Sequence, residues 1–124
     1  MASRQPRTNE ITDPEGSTAA LWAARWFGGP TTIRTSTVVM GLTVARVLPN
    51  NPRRVFWQII NRSVANVSLG FDNTITIAAG IPLAPSAGFA TMAVQEDGEP
   101  VSYEVLGIAD LAASNLNVVE VIRV

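Results

Sequence analysis

With 124 residues and neither cysteine nor histidine, the chain holds one domain's worth of sequence, without a disulfide framework or the usual base and metal ligand of neutral pH. Lysine is absent too, so nine arginines, ten carboxylates, one tyrosine and a supply of hydroxyls are left, a set that argues against an enzyme. Apolar residues make up 47% of the chain and charged ones only 15%, too few ions to cover a small domain's surface, so part of that surface is expected to meet another protein. A net charge of −1 disfavours nucleic acid, and no apolar stretch approaches the length of a bilayer crossing, so neither nucleic acid nor membrane is expected as a partner.

Met1 to Gly16 is polar, carries Pro6 and Pro14, and shows no apolar period, so by itself it reads as an unstructured arm. It lacks the apolar core of a secretory leader, and export by that route is not expected. Ser17 or Thr18 is placed to cap a short helix over about residues 18–27, which Gly28, Gly29 and Pro30 would end. Trp22 and Trp26 lie four apart on one face of that helix. They either pack on the domain's own sheet or anchor in a partner's groove, tryptophan being concentrated at binding hot spots.

From Thr31 the texture changes. Threonine, valine and isoleucine dominate Thr31–Met40, and Leu42–Leu48 alternates in strand fashion. Pro49-Asn50-Asn51-Pro52 is a strong turn signal, Val55–Asn61 reads as a central strand, and Val67–Phe71 answers it across a tight turn like a hairpin. Because Phe56 and Trp57 are adjacent, they point to opposite faces of their strand. Thr74–Ala79 is a possible short strand, and Ile81–Pro85, with two prolines, belongs at an edge or in a loop. Phe89–Gln95 is apolar again, Glu96–Pro100 is an acidic turn, and Val101–Leu106 alternates. Ala109–Asn117 is a helical turn or a loop, and Asn117–Val124 closes as a β-branched strand. About eight closely spaced strands predict an all-β fold, a β-sandwich or jelly-roll-like single domain over 33–124, preceded by an arm and short helix over 1–32. Trp57, Phe56, Phe71, Phe89 and Tyr103 are expected in its core.

Charge is unevenly spread. Four arginines and no acid lie between Thr35 and Arg62, whereas seven acids face Arg123 alone from Ser63 onward. The halves either pair inside one domain or attract between copies. Glu96, Asp97 and Glu99 form an acid cluster without the spacing of a calcium loop, and are expected at a solvated hairpin tip. Asp72 lies near Ser68 and Thr74, but without histidine no triad can be assembled. No catalytic, cofactor or metal site is expected. Partner contacts are expected instead from Leu21, Trp22, Arg25, Trp26 and Phe27 of the helix and from Arg53 and Arg54 after the proline turn, where guanidinium groups suit a partner's carboxylates or else a local ion pair.

Asn50-Asn51-Pro52-Arg53-Arg54 running into Val55–Asn61, then Val67-Ser68-Leu69-Gly70-Phe71, then Gly80-Ile81-Pro82-Leu83-Ala84-Pro85 and the valine-rich last strand resemble small all-β accessory proteins of tailed-bacteriophage virions, the head-decoration (cement) and head-fibre type. The resemblance runs over roughly 48–124. It implies a non-enzymatic β-sandwich on the capsid surface, bound to the major capsid protein or other virion subunits. It also implies a symmetric homo-oligomer, a trimer being favoured, with a terminal arm reaching a neighbour. A head–tail connector or tail component is the alternative within that class, and a carbohydrate- or receptor-binding module the alternative outside it.

Overall fold

A computed structural model describes Arg25 and residues 27–124. Eight strands make two antiparallel four-stranded sheets: β1 Thr31–Met40, β2 Ala45–Leu48, β3 Arg54–Asn61, β4 Val67–Gly70, β5 Ile81–Leu83, β6 Phe89–Ala93, β7 Val105–Ala109 and β8 Ser114–Arg123. One sheet runs β1-β8-β3-β6 and the other β2-β7-β4-β5. The first strand therefore pairs with the last, the second with the seventh, the third with the sixth and the fourth with the fifth, a single long hairpin rolled up on itself. That is the jelly-roll arrangement, and the fold is all-β as expected. A helical turn, α1 (Val94–Asp97), and a 3-10 turn (Glu99–Ser102) link β6 to β7.

The core lies between the sheets and follows the two-residue period of their strands. Trp57 and Ile59 of β3 and Leu116 and Val118 of β8 meet Val67 and Leu69 of β4 and Val105 and Ala109 of β7. Gly107 sits where the sheets come closest: a Cβ there would lie 2.9 Å from Met40 Sδ and 3.0 Å from Val47 Cγ2. Phe56, as adjacency to Trp57 requires, points the other way and is half-buried on the outer face.

Several expectations are corrected. β3 and β4 do not form a hairpin: β3 pairs with β6 and β8, β4 with β5 and β7, and residues 62–66 carry the chain from one sheet to the other. The cause is Asn61, fully buried at the end of β3. Its Nδ2 donates to the carbonyls of Ala65 (2.8 Å), Leu83 (3.2 Å) and Ala84 (3.1 Å), while its Oδ1 accepts from Ser63 N–H (2.9 Å) and Oγ–H (2.7 Å). A side chain that meets both the 62–65 turn and the loop after β5 turns a tight reversal into a sheet-crossing corner. The 84–88 loop is zipped to the same corner, with Ala87 N–H donating to Asn61 O and Ser86 N–H to Ser63 O.

Thr74–Ala79 holds an isolated bridge, Thr76 to Ala79, instead of a strand. β7 begins at Val105, because Val101 and Ser102 belong to the 3-10 turn, and β8 begins three residues earlier than expected, at Ser114. Of the aromatics expected in the core only Trp57 is there: Phe56 is on the outer face, Phe71 is 39% exposed, Tyr103 41% and Phe89 63%. β1 starts at Thr31, two residues before the expected domain boundary. The helix expected over 18–27 lies outside the described residues except for Arg25 and Phe27, both helical.

The Asn61 corner predicts an order of damage. Asn61→Ala strands three carbonyls and the Ser63 donors and is expected to cost about 2–3 kcal/mol. Asn61→Asp sets a carboxylate against those carbonyls and is expected to cost more. Denaturant titration of both variants checks this, and an aspartate variant as stable as the parent would contradict it.

Candidate interaction surface

The residues expected to contact a partner do not come together. Leu21, Trp22 and Trp26 fall outside the described residues. Arg25 is exposed, and Phe27 is half-buried with its carbonyl accepting from Arg123 Nη1 at 3.4 Å. Arg53 is exposed; its N–H donates to Asn51 Oδ1 (3.0 Å), and its carbonyl accepts from Arg123 N–H (2.8 Å).

Arg54 is the clear correction. It is 1% exposed, beyond the reach of any partner. Alternation from Trp57 would place Arg53 on the inner side and Arg54 on the outer one, but the ladder with β8 slips between Arg54 and Phe56. That bulge re-aims Arg54 inward. Its Nε donates to Glu120 Oε2 at 3.4 Å, its Nη1 to the carbonyls of Val101 (3.3 Å) and Tyr103 (3.2 Å), and its Nη2 to Pro49 O (2.6 Å). Burial pulls the guanidinium below its ordinary pKa, while the charge and hydrogen bond of Glu120 push it back up; an arginine stays cationic under such opposed effects. One side chain thus ties β3, β8, the proline turn and the 3-10 turn together at one end of the sandwich.

The uneven charge along the chain resolves in part inside the molecule. Arg54 meets Glu120, and Arg46 lies 3.6 Å from Glu104 in an exposed pair. The acid cluster is engaged locally: Asp97 Oδ2 accepts from Ala93 N–H (2.9 Å), and Glu99 Oε1 accepts from the Tyr103 hydroxyl (3.0 Å). Asp72 accepts from the Thr74 hydroxyl and N–H, which holds its carboxyl below the ordinary range, and Ser68 Oγ donates to Ile77 O. Among the described residues no three acidic side chains are grouped to hold a metal ion.

The two sheets differ on their outer faces. The β2-β7-β4-β5 sheet is covered by its own 71–80 loop. Ser68 Oγ bonds to Ile77 O there, and a Cβ on Gly70 would fall onto Ile75. The outer face of the β1-β8-β3-β6 sheet carries no such cover among the described residues. Its register sets side chains in three rows of four: Ile33, Val121, Phe56 and Ala93; Thr35, Val119, Gln58 and Thr91; Thr37, Asn117, Ile60 and Phe89. Not one of these twelve positions is charged. Ile33, at 70%, and Phe89, at 63%, lie open at its two margins. At the strand spacings of a sheet this face covers roughly 400 Å², with seven of its twelve positions apolar and five carrying hydroxyl or amide groups. Sequence reading missed it because the even positions of β3 and odd positions of β8 show as one face only when the register is known.

No known protein family matches the chain, and no curated protein matches it. The chain is similar to a solved structure from work described as "Bacillus endospore appendages form a novel family of disulfide-linked pili", at 15% identity and a TM-score of 0.44, covering 77% of this chain and 92% of that one. The comparisons return no virion accessory protein.

Two outcomes follow from the polar contacts. Removing one member of the buried pair leaves the other charge unmatched, so Glu120→Gln and Arg54→Met are each expected to cost about 3–5 kcal/mol. The double change Arg54→Met with Glu120→Leu should recover part of that loss, but not the part due to the three stranded carbonyls; additive losses in denaturant titration would refute the coupling. The hydrogen bond to Glu99, and then its charge, hold Tyr103 above the ordinary phenol range. Because the folded value is raised, the stabilisation is complete below the ordinary value of about 10 and is lost as pH climbs through the raised one. Absorbance titration of the sole tyrosine should show a lower midpoint in Glu99→Gln, and an unchanged midpoint would dismiss the contact.

Proposed function

We propose that this protein is a non-catalytic structural subunit that attaches by the outer face of the β1-β8-β3-β6 sheet, and that its setting is a virion, where it decorates and cements the capsid surface. The observation that supports the attachment is this face: twelve positions without an ion, on the sheet that the described loops do not cover. Covering Ile33, Val121, Phe56, Ile60 and Phe89 removes apolar area from water at about 25 cal/mol per Å², so one contact is modest and a lattice of contacts is strong. The residue inventory supports the absence of catalysis, since histidine, cysteine and lysine are missing and two carboxylates at the acid-rich turn, Asp97 and Glu99, are engaged in structural bonds. The capsid setting rests on the sequence resemblance and on the recurrence of jelly rolls among viral shells, which is an argument from analogy.

Phe89→Glu and Val121→Glu test this directly. Both residues lie on the outer face, so circular dichroism and melting temperature should stay near those of the parent. Co-sedimentation with purified shells stripped of the protein should fall by about tenfold or more, as expected for a charge forced into an apolar contact. Undiminished binding by both variants would remove the face from the interface, and failure of the parent to bind any shell would remove the capsid setting.

A further inference from the structure

We infer that β1 is an assembly edge, at which two copies of this chain join antiparallel about a two-fold axis through Thr35; this deepens the structural-subunit reading and rests on it. Val124 N–H donates to Pro30 O at 2.9 Å, so in the β8 ladder the even-numbered residues address β1. Antiparallel alternation then turns the N–H and C=O groups of Thr31, Ile33, Thr35, Thr37 and Val39 toward the open side of β1. No described residue bonds to them.

Edge strands in stable monomers are guarded by brevity, proline, charge or a bulge. The other three edges here have such guards: β5 is three residues long and contains Pro82, β2 is four residues with a bulge and Arg46, and β6 is five residues and runs straight into α1. β1 is the least guarded. It is ten residues long, in unbroken register with β8 and without proline, and its one guard is a single charge, Arg34, on the inner side. Thr32 to Thr37 are exposed on both faces, so among the described residues these six of its ten positions are held chiefly by β8.

A second β1 is the occupant that fits. All five outward residues are β-branched and suited to a strand, and of the antiparallel registers only the one centred on Thr35 pairs all five at once. Thr31 then faces Val39 of the partner subunit, and Ile33 faces Thr37 of the partner subunit. Arg34 lies opposite Ser36 of the partner subunit, so the two arginines do not face each other. The junction also runs the two bare outer faces together without a break. Each face alone, at roughly 400 Å², is about half of what a stable interface takes from one partner, and the joined face of roughly 800 Å² reaches it. A foreign strand would satisfy the edge without doubling that face.

The test uses the full chain, whose lack of cysteine makes it clean. Thr35→Cys should oxidise to a covalent dimer, since directly paired residues have Cα atoms about 5.5 Å apart, within disulfide reach. Leu111→Cys, on a distant exposed turn, should not. Thr35→Lys opposes two like charges at the axis and should raise the dimer dissociation constant in analytical ultracentrifugation by about tenfold or more, with the melting temperature unchanged. Thr35→Pro removes an N–H that the β8 ladder does not use and should act alike. A chain that stays monomeric at every concentration overturns the inference, and so do oligomers that survive Thr35→Lys without a Thr35→Cys cross-link, although the attachment face would then still stand. A Thr35→Cys dimer that binds no shell would establish the edge and refute the capsid reading.

Discussion

β3 is fastened at both ends by a polar side chain taken out of water, and the loops at each end of the sandwich take their positions from those two groups. At the first end Arg54 spreads four donors over Glu120 and three carbonyls; at the other Asn61 spends its donors on three carbonyls and its oxygen on Ser63. A rolled hairpin needs such fasteners. Its strands pair first with last, so most contacts join distant parts of the chain and closing them costs loop entropy before any packing is gained. Burying a cation and an amide is costly unless every donor finds a partner. The sites therefore accept one arrangement of loops and penalise others, and the two ends are specified as well as stabilised.

Once the ends are fixed, the sheets have unequal duties. One sheet is capped by the 71–80 loop, which seats its own isoleucines over β4, so its outer face is spent within the molecule. The other presents three rows of side chains without charge, and no described residue forms a loop over them. Ions gather at turns and strand ends, as with Arg46 and Glu104 or Glu99 beside Tyr103, and Arg123 stands only at the margin of that face.

Much of the architecture could be read from residue order. Threonine and valine runs marked β1 and β8, the paired prolines placed 81–85 at an edge or in a loop, and Phe56 beside Trp57 showed a strand with apolar side chains on both faces. Failures came where a side chain overruled local pattern. The turn after β3 has the length of a hairpin, and only the five bonds of Asn61 make it a crossing between sheets. Arg54 follows a proline turn and looks like a surface cation until a bulge shifts its strand by one position. Phe71, Phe89 and Tyr103 have the composition of core residues but stand on outer faces and turns, which periodicity alone cannot tell apart. The uncharged rows of the outer face depend on register between strands up to ninety residues apart, and no local signal carries that. Of the helix expected over 18–27, only Arg25 and Phe27 lie within the described residues.

Pairing the outermost strands also brings two distant points of the chain to one corner, where Val124 N–H meets Pro30 O. The carboxyl end thus stands beside the margin of β1. A bulky fusion at the carboxyl end would therefore act as a steric shield over that margin, while a fusion placed in the 71–80 loop would ride on the opposite side of the molecule and leave it clear.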